Sequence, residues 1–243
     1  MDKSNNNKIY QQEYIDLISE KYNKPIVDMV DSNNNFIHPT AIVGSNVVLG
    51  KNNYIGANCY IVGNVTIGDN NHFEAFCSIG TFPEHKTFFN DKKMKGVVIG
   101  NDNVLREFVT INSGCLRDTT LESNIWLQKG SYVGHDSEIL NGTTLSINAV
   151  IGGHCLLGRD VNLGIGAMCH QFSVIGSGSM IGMGAIVTKT SQIKPLGTYI
   201  GNPCRYLKDN HYRLSRLSES EKNWYDSIYE RQLSEMKKIK SAL

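Results

Sequence analysis

Aliphatic residues recur every six positions along most of this 243-residue chain. From Ile37 the steps land on Val43, Leu49, Ile55, Ile61, Ile67, Phe73 and Ile79. The phase lapses, returns at Ile99, Leu105 and Ile111, and lapses again. It then runs through Leu127, Val133, Ile139, Leu145, Ile151, Leu157, Leu163, Cys169, Ile175, Ile181, Val187 and Ile193 to Tyr199. An α-helix, with its repeat of 3.6, cannot hold one face in phase with a period of six. The pattern predicts an all-β solenoid that turns a corner every six residues, with one aliphatic pointing inward from each short flat face. Three faces close a triangular coil, so the 24 in-phase positions predict about eight stacked coils around a continuous apolar column. Glycines directly after inward aliphatics, such as Gly56, Gly134 and Gly164, suit corners where a Cβ would crowd.

The two lapses, residues 81–98 and 112–126, are expected to loop out of the coil. Loops on a rigid scaffold commonly carry binding groups. The flanks follow a different period. Tyr14, Leu17, Ile18 and Tyr22 stand at helical spacing within residues 10–22, giving a helical extension over 1–35. Ser218 and Glu221 form a capping box for a helix with Tyr225, Ile228, Tyr229, Leu233, Met236 and Ile239 on one side. The expected domains are therefore 1–35, the β-solenoid over 36–200, and a helical tail over 201–243.

A formal charge of +1 predicts no single-sign field, so nothing points to nucleic acid. No apolar run approaches the ~20 residues of a transmembrane span. "MDKSNNNKIYQQEY" lacks the apolar core of a signal peptide, which reads as cytoplasmic. The six cysteines are scattered without a C-x-x-C pair and read as reduced, buried thiols.

His135 and Asp136 break the run of small polar residues in their coil. Histidine is the side chain best matched to proton abstraction at neutral pH, and a neighbouring carboxylate can orient its ring.

A hexad of this kind resembles the hexapeptide-repeat acyltransferases, and the resemblance implies a left-handed parallel β-helix acting as a homotrimer with sites between subunits. "HPTAIVG", "LREFVTINSG", "VGHD", "IGGH" and "CHQF" resemble, in the same order, motifs of the acyl-carrier-protein-dependent UDP-N-acetylglucosamine O-acyltransferases of lipid A synthesis. The similarity covers residues 37–200. It implies His135 as general base, Asp136 as its partner and the Gly153 N–H as oxyanion donor. His154 and His170 would bind a nucleotide-sugar acceptor, and Gln171 would bond that acceptor or the donor's phosphopantetheine arm. Glu84 and His85 match the pair that meets the sugar, where the family usually has an amide and an aspartate. Met183 stands where many long-chain enzymes have a glycine that sets acyl length. "GNPCRYL" at 201–207 looks more like short-chain acetyltransferases.

The resemblance implies an acyltransferase that moves a short or 3-hydroxyacyl group from acyl-CoA or acyl-ACP to a nucleotide-linked sugar or aminosugar, for lipopolysaccharide or another surface glycan. The alternative is the acyl-ACP–UDP-N-acetylglucosamine O-acyltransferase of lipid A synthesis itself. No metal is expected: a metal-dependent carbonic anhydrase on this scaffold would need a close H-x4-H pair, which the chain lacks. A non-catalytic scaffold subunit would need the repeat but not the His–Asp pair.

Overall fold

The computed structural model describes residues 16–22, 29–86 and 94–241. Its body is a left-handed parallel β-helix of three sheets. The first sheet starts at Phe36–Ile37, the second at Ile42–Val43 and the third at Val47–Leu49. Away from the insertions each strand pairs with the strand 18 residues on, as Tyr132 with Val150 and Val133 with Ile151. One coil is thus three hexads, and the in-phase aliphatic of every hexad faces the axis. Ile139, Leu145, Ile151, Leu157, Leu163, Ile175 and Ile181 have no solvent exposure. Burying such a side chain is worth roughly 1.5–3 kcal/mol, repeated at every face.

Two devices make the corners. Asparagines hold many of the left-handed backbone positions, with φ of 56° at Asn52 and Asn148 and 58° at Asn70 and Asn124. Asparagine visits this region more readily than other non-glycine residues. The glycines after the inward aliphatics answer to crowding instead: a Cβ on Gly56 would lie 2.8 Å from the Phe73 carbonyl oxygen of the next coil. Beside the apolar column, Asn35, Asn53, Asn71 and Asn103 stack as a buried polar ladder. The Asn53 Oδ1 accepts the Asn71 backbone N–H at 2.8 Å, and the Asn71 Oδ1 accepts that of Asn103 at 3.0 Å. Their amide groups also donate to the carbonyls of Gly68 and Gly100 at 2.9 Å. Buried polar groups are tolerated here because they are paired.

The insertions are smaller than the lapse in phase implies. Val97–Ile99 already pairs with Val65–Ile67, so the first excursion ends before residue 97. In the second, Thr119–Leu121 is a strand of the third sheet, and Leu121 and Ile125 are buried. Ten positions separate Ile111 from Leu121 instead of six, so only four residues are added and the hexad resumes at once. Refilling the inner column forces this early return, because a missing inward side chain would leave a void between coils.

Antiparallel pairings close both ends. Val30 bridges Phe36, and Arg205–Asp209 pairs with Gly197–Ile200. The tail is therefore not wholly helical; its first segment covers an exposed sheet edge. Residues 16–22 are helical, and Ile18 packs near Met29, Phe36 and Tyr54; Tyr14 lies outside the described residues. The helix Glu219–Ser241 opens with the capping box, in which the Glu221 carboxylate accepts the Ser218 N–H at 2.7 Å. It lays Tyr229, Leu233 and Met236 on Leu156 and Val174, outward residues of the third sheet.

Asn71→Ala removes the acceptor for Asn103 and the donor for Gly100. It should lower unfolding free energy by about 2–5 kcal/mol in urea titration, since each stranded buried group costs about 1–3 kcal/mol.

Candidate active site

The stacking rule places residues 18 apart on one edge of the prism. The corner between the second and third sheets holds His135, Gly153 and Gln171 in one column. Asp136, His154 and Phe172 form the next, with left-handed φ of 60°, 59° and 65°. Both insertions leave the solenoid at this same edge, after Ser78–Thr81 and Thr110–Asn112 of the second sheet. Loops and histidines are therefore brought together by register alone.

Asp136 is fully buried and sits at the centre. Its Oδ1 accepts backbone N–H groups from Cys115, Leu116 and Arg117 at 3.1, 2.7 and 2.8 Å, all from the short insertion. Its Oδ2 accepts from the Cys115 N–H at 3.0 Å and lies 2.6 Å from the His135 Nδ1. Its own N–H donates to the Thr119 Oγ1 at 2.9 Å. Burial alone would raise the carboxyl pKa; the His135 hydrogen bond and the three backbone donors outweigh it and hold the group well below the usual carboxylate range. An ionised carboxylate only accepts, so the His135 Nδ1 is the donor of this pair, and in the neutral ring the lone pair lies on Nε2.

The His135 ring rests on Gly153: a Cβ there would lie 2.7 Å from both Cε1 and Nε2. Only glycine leaves room for the imidazole in this position. The Gly153 N–H has no acceptor among the described residues. The His154 ring meets His135 edge-on at 4.9 Å and stacks on Phe172 at 4.7 Å. Its Nε2 is 3.8 Å from the Asp136 Oδ2. Burial lowers the His154 pKa to about 4, against the pull of Asp136, and His135, Arg117 and His85 push the same way as burial. His154 is accordingly neutral at physiological pH.

His85 approaches from the longer insertion, its ring edge-on to His135 at 5.7 Å. Glu84 is exposed beside it, and burial together with the Glu84 charge pushes the Tyr132 phenol up to about 12. His170 and Gln171 are exposed on the coil above, where the His170 Nδ1 lies 2.9 Å from the Gln171 carbonyl oxygen. Met183 is not brought to this site. It stands 74% exposed on the edge between the first and second sheets, in line with Ile165 and Ile147.

Residues 46–81 match the model of the bacterial transferase hexapeptide (six repeats). The chain carries this repeat over those residues. The acyl-[acyl-carrier-protein]–UDP-N-acetylglucosamine O-acyltransferase of Burkholderia orbicola (strain MC0-3) is 37% identical over 110 residues, covering 44% of this chain and 41% of that protein. The enzyme of the same name from Stutzerimonas stutzeri (strain A1501) is 32% identical over 157 residues, 59% of this chain and 60% of its own. The chain spans about half the length of the curated relatives it matches. Among solved structures, LpxA from Acinetobacter baumannii superposes with a TM-score of 0.64 at 25% identity, over 79% of each chain. UDP-N-acetylglucosamine acyltransferase from Campylobacter jejuni gives 0.65 at 25% identity, over 83% of this chain and 82% of its own.

Several parts of this site lie outside the recognisable motifs. Phe172 was findable, since it lies one coil above His154 in the hexad register. Arg117, Thr119 and Cys115 sit in the segment that lost phase and offered no pattern. The Cys115 Sγ lies 3.7 Å from the His135 Nδ1, and with Asp136 these groups place three ligand-type atoms within 4.8 Å. Both carboxylate oxygens already accept N–H donors, so hydrogen bonds knit this trio as it stands. Among the described residues no helix is long and apolar enough to cross a membrane.

Because the folded-state pKa of His154 lies below its unfolded value, the unfolded chain binds the extra proton as pH falls from about 6.5 to about 4. Stability contributed by neutral His154 is present above that window and lost through it. Urea midpoints at pH 7.0, 5.5 and 4.5 should therefore fall more steeply for the wild type than for His154→Asn, which keeps a residue suited to the left-handed φ.

Proposed function

We propose that this protein is an acyltransferase that moves an acyl group from a phosphopantetheine thioester to a hydroxyl of a UDP-N-acetylglucosamine-type nucleotide sugar, with acyl carrier protein as donor. The observation that carries this reading is the His135–Asp136 pair. A buried, ionised carboxylate orients the ring through Nδ1, so Nε2 would be the base of the neutral imidazole. The names of the curated and structural relatives favour this O-acyltransferase over the broader reading of any nucleotide-linked sugar or aminosugar.

In this mechanism the His135 Nε2 takes the proton of the attacking hydroxyl as it adds to the thioester carbonyl. The imidazolium is stabilised by Asp136 across 2.6 Å. The Gly153 N–H, which has no acceptor among the described residues, would donate to the tetrahedral oxyanion, a contact worth roughly 3 kcal/mol. Collapse expels the pantetheine thiolate, which recovers the proton from His135. Neutral His154 would offer a hydrogen bond rather than a charge to the acceptor. His85 and Glu84 would meet the sugar from the long insertion, and His170 and Gln171 would hold the nucleotide sugar or the pantetheine arm.

Met183 belongs to this reading only if a second copy supplies it, because it lies on a different edge from His135. A homotrimer that packs one copy's apolar edge of Ile147, Ile165 and Met183 against the neighbour's histidine edge would make Met183 a wall of the neighbour's acyl groove. The reaction would take place in the cytoplasm, where both substrates are soluble.

Incubating the purified protein with acyl-ACP of graded chain lengths and UDP-N-acetylglucosamine should give an O-acylated product by mass spectrometry. An amide formed only on an aminosugar nucleotide from acyl-CoA would overturn the proposed substrates. His135→Ala should lower kcat by at least about a hundredfold with an unchanged circular dichroism spectrum. Met183→Gly should shift the donor preference toward longer acyl chains; an unaltered chain-length profile would remove Met183 from the groove.

A further inference from the structure

The carboxylate that orients His135 is held by three consecutive backbone N–H groups, so its position depends on what fixes the turn 114–117. Within the turn Gly114 is tightly enclosed: a Cβ there would lie 1.6 Å from the Arg117 carbonyl oxygen. Outside it, one side chain anchors the turn on two sides. The Arg117 Nε donates to the Asp136 carbonyl oxygen at 2.8 Å, and its Nη1 meets the Glu235 Oε1 at 2.5 Å. Glu235 lies on the helix Glu219–Ser241, whose Tyr229 and Met236 pack on the third sheet. That packing gives the helix a defined place from which to hold the guanidinium.

We infer that Glu235 is a positioning residue for the reaction. Through Arg117 it sets the turn whose N–H groups hold Asp136, and through Asp136 it sets the orientation of the His135 imidazole. Glu235 touches neither substrate nor the reacting atoms. The inference rests on the acyl-transfer reading for its kinetic consequence, but the coupling between the helix and the turn does not. The pair is partly solvated, with the two side chains 26% and 38% exposed, so its effect is graded rather than absolute. The Coulomb gain of such a pair is modest. Its geometry is two-pronged, however, because the same guanidinium bonds a backbone carbonyl on one side and a carboxylate on the other.

Three variants on this helix and turn test the coupling. Glu235→Ala should lower kcat by about threefold to tenfold with KM for both substrates within about twofold. Glu235→Gln, which keeps an acceptor oxygen, should recover most of that loss. Arg117→Ala should cost more than Glu235→Ala, and adding Glu235→Ala to it should cost nothing further. Glu230→Ala, exposed on the same helix, is the control and should behave as wild type. Hydrogen exchange supplies a readout independent of turnover: the amides of Cys115, Leu116 and Arg117 should exchange faster in Glu235→Ala than in Glu230→Ala. Unchanged exchange together with unchanged kcat in Glu235→Ala would overturn the inference. Additive losses in the double variant would do the same. Faster exchange in a protein that transfers no acyl group would support the coupling and overturn the acyl-transfer reading instead.

Discussion

Everything in this molecule depends on the stacking of inward aliphatics at an interval of 18 residues. Each coil is too short to bury its own apolar side chains, so it is stable only on the coil beneath it. The column of Ile139, Leu157 and Ile175, with its counterparts on the other two faces, therefore dictates register as well as cohesion. A one-residue slip in any strand would turn the whole inward set outward. Because register is so strictly held, a residue at one corner has a known neighbour above and below. The site is a consequence of that arithmetic.

The same constraint explains why the insertions cluster beside the histidines. Extra residues are tolerated only at corners, where the chain leaves one sheet before it joins the next. The two departures occur on successive coils at one edge, and His135 and Asp136 follow on the next. The shorter insertion then does something no regular coil can do. It turns three backbone N–H groups toward a buried carboxylate. In the coils the backbone N–H groups go to the ladder or singly to a side chain of the neighbouring coil, as Asn71 to Asn53, whereas here three converge on one carboxylate. Departure from the repeat and the appearance of chemistry are thus one event.

The electrostatics follow from that local arrangement. Asp136 stays ionised in spite of burial because donors converge on it, while His154 stays neutral because burial prevails over the attraction of a carboxylate 3.8 Å away. Two neighbouring groups are held one charged and one neutral, the first by the donors that converge on it and the second by burial. Similar solved structures share the fold; in this chain the contact of Arg117 with Glu235 ties the tail to the turn that holds Asp136.

The sequence by itself determined the solenoid. A period of six is incompatible with helix or simple sheet, and hexad arithmetic alone puts His135, Gly153 and Gln171 in one column, and Asp136, His154 and Phe172 in another. It was also enough to single out the His–Asp pair, since a charged dipeptide stands out where the repeat asks for small residues. The extent of the insertions and the strand in 119–121 were not legible, because two or three inward residues are too few to reveal a period, and the antiparallel strand Arg205–Asp209 is exposed along its whole length. Only the tertiary structure decided that the turn 114–117 grips Asp136, that Met183 stands on another edge, and that Glu235 reaches Arg117. Those contacts join residues far apart in the chain through backbone donors and irregular turns, and such groups leave no trace in a pattern of side chains.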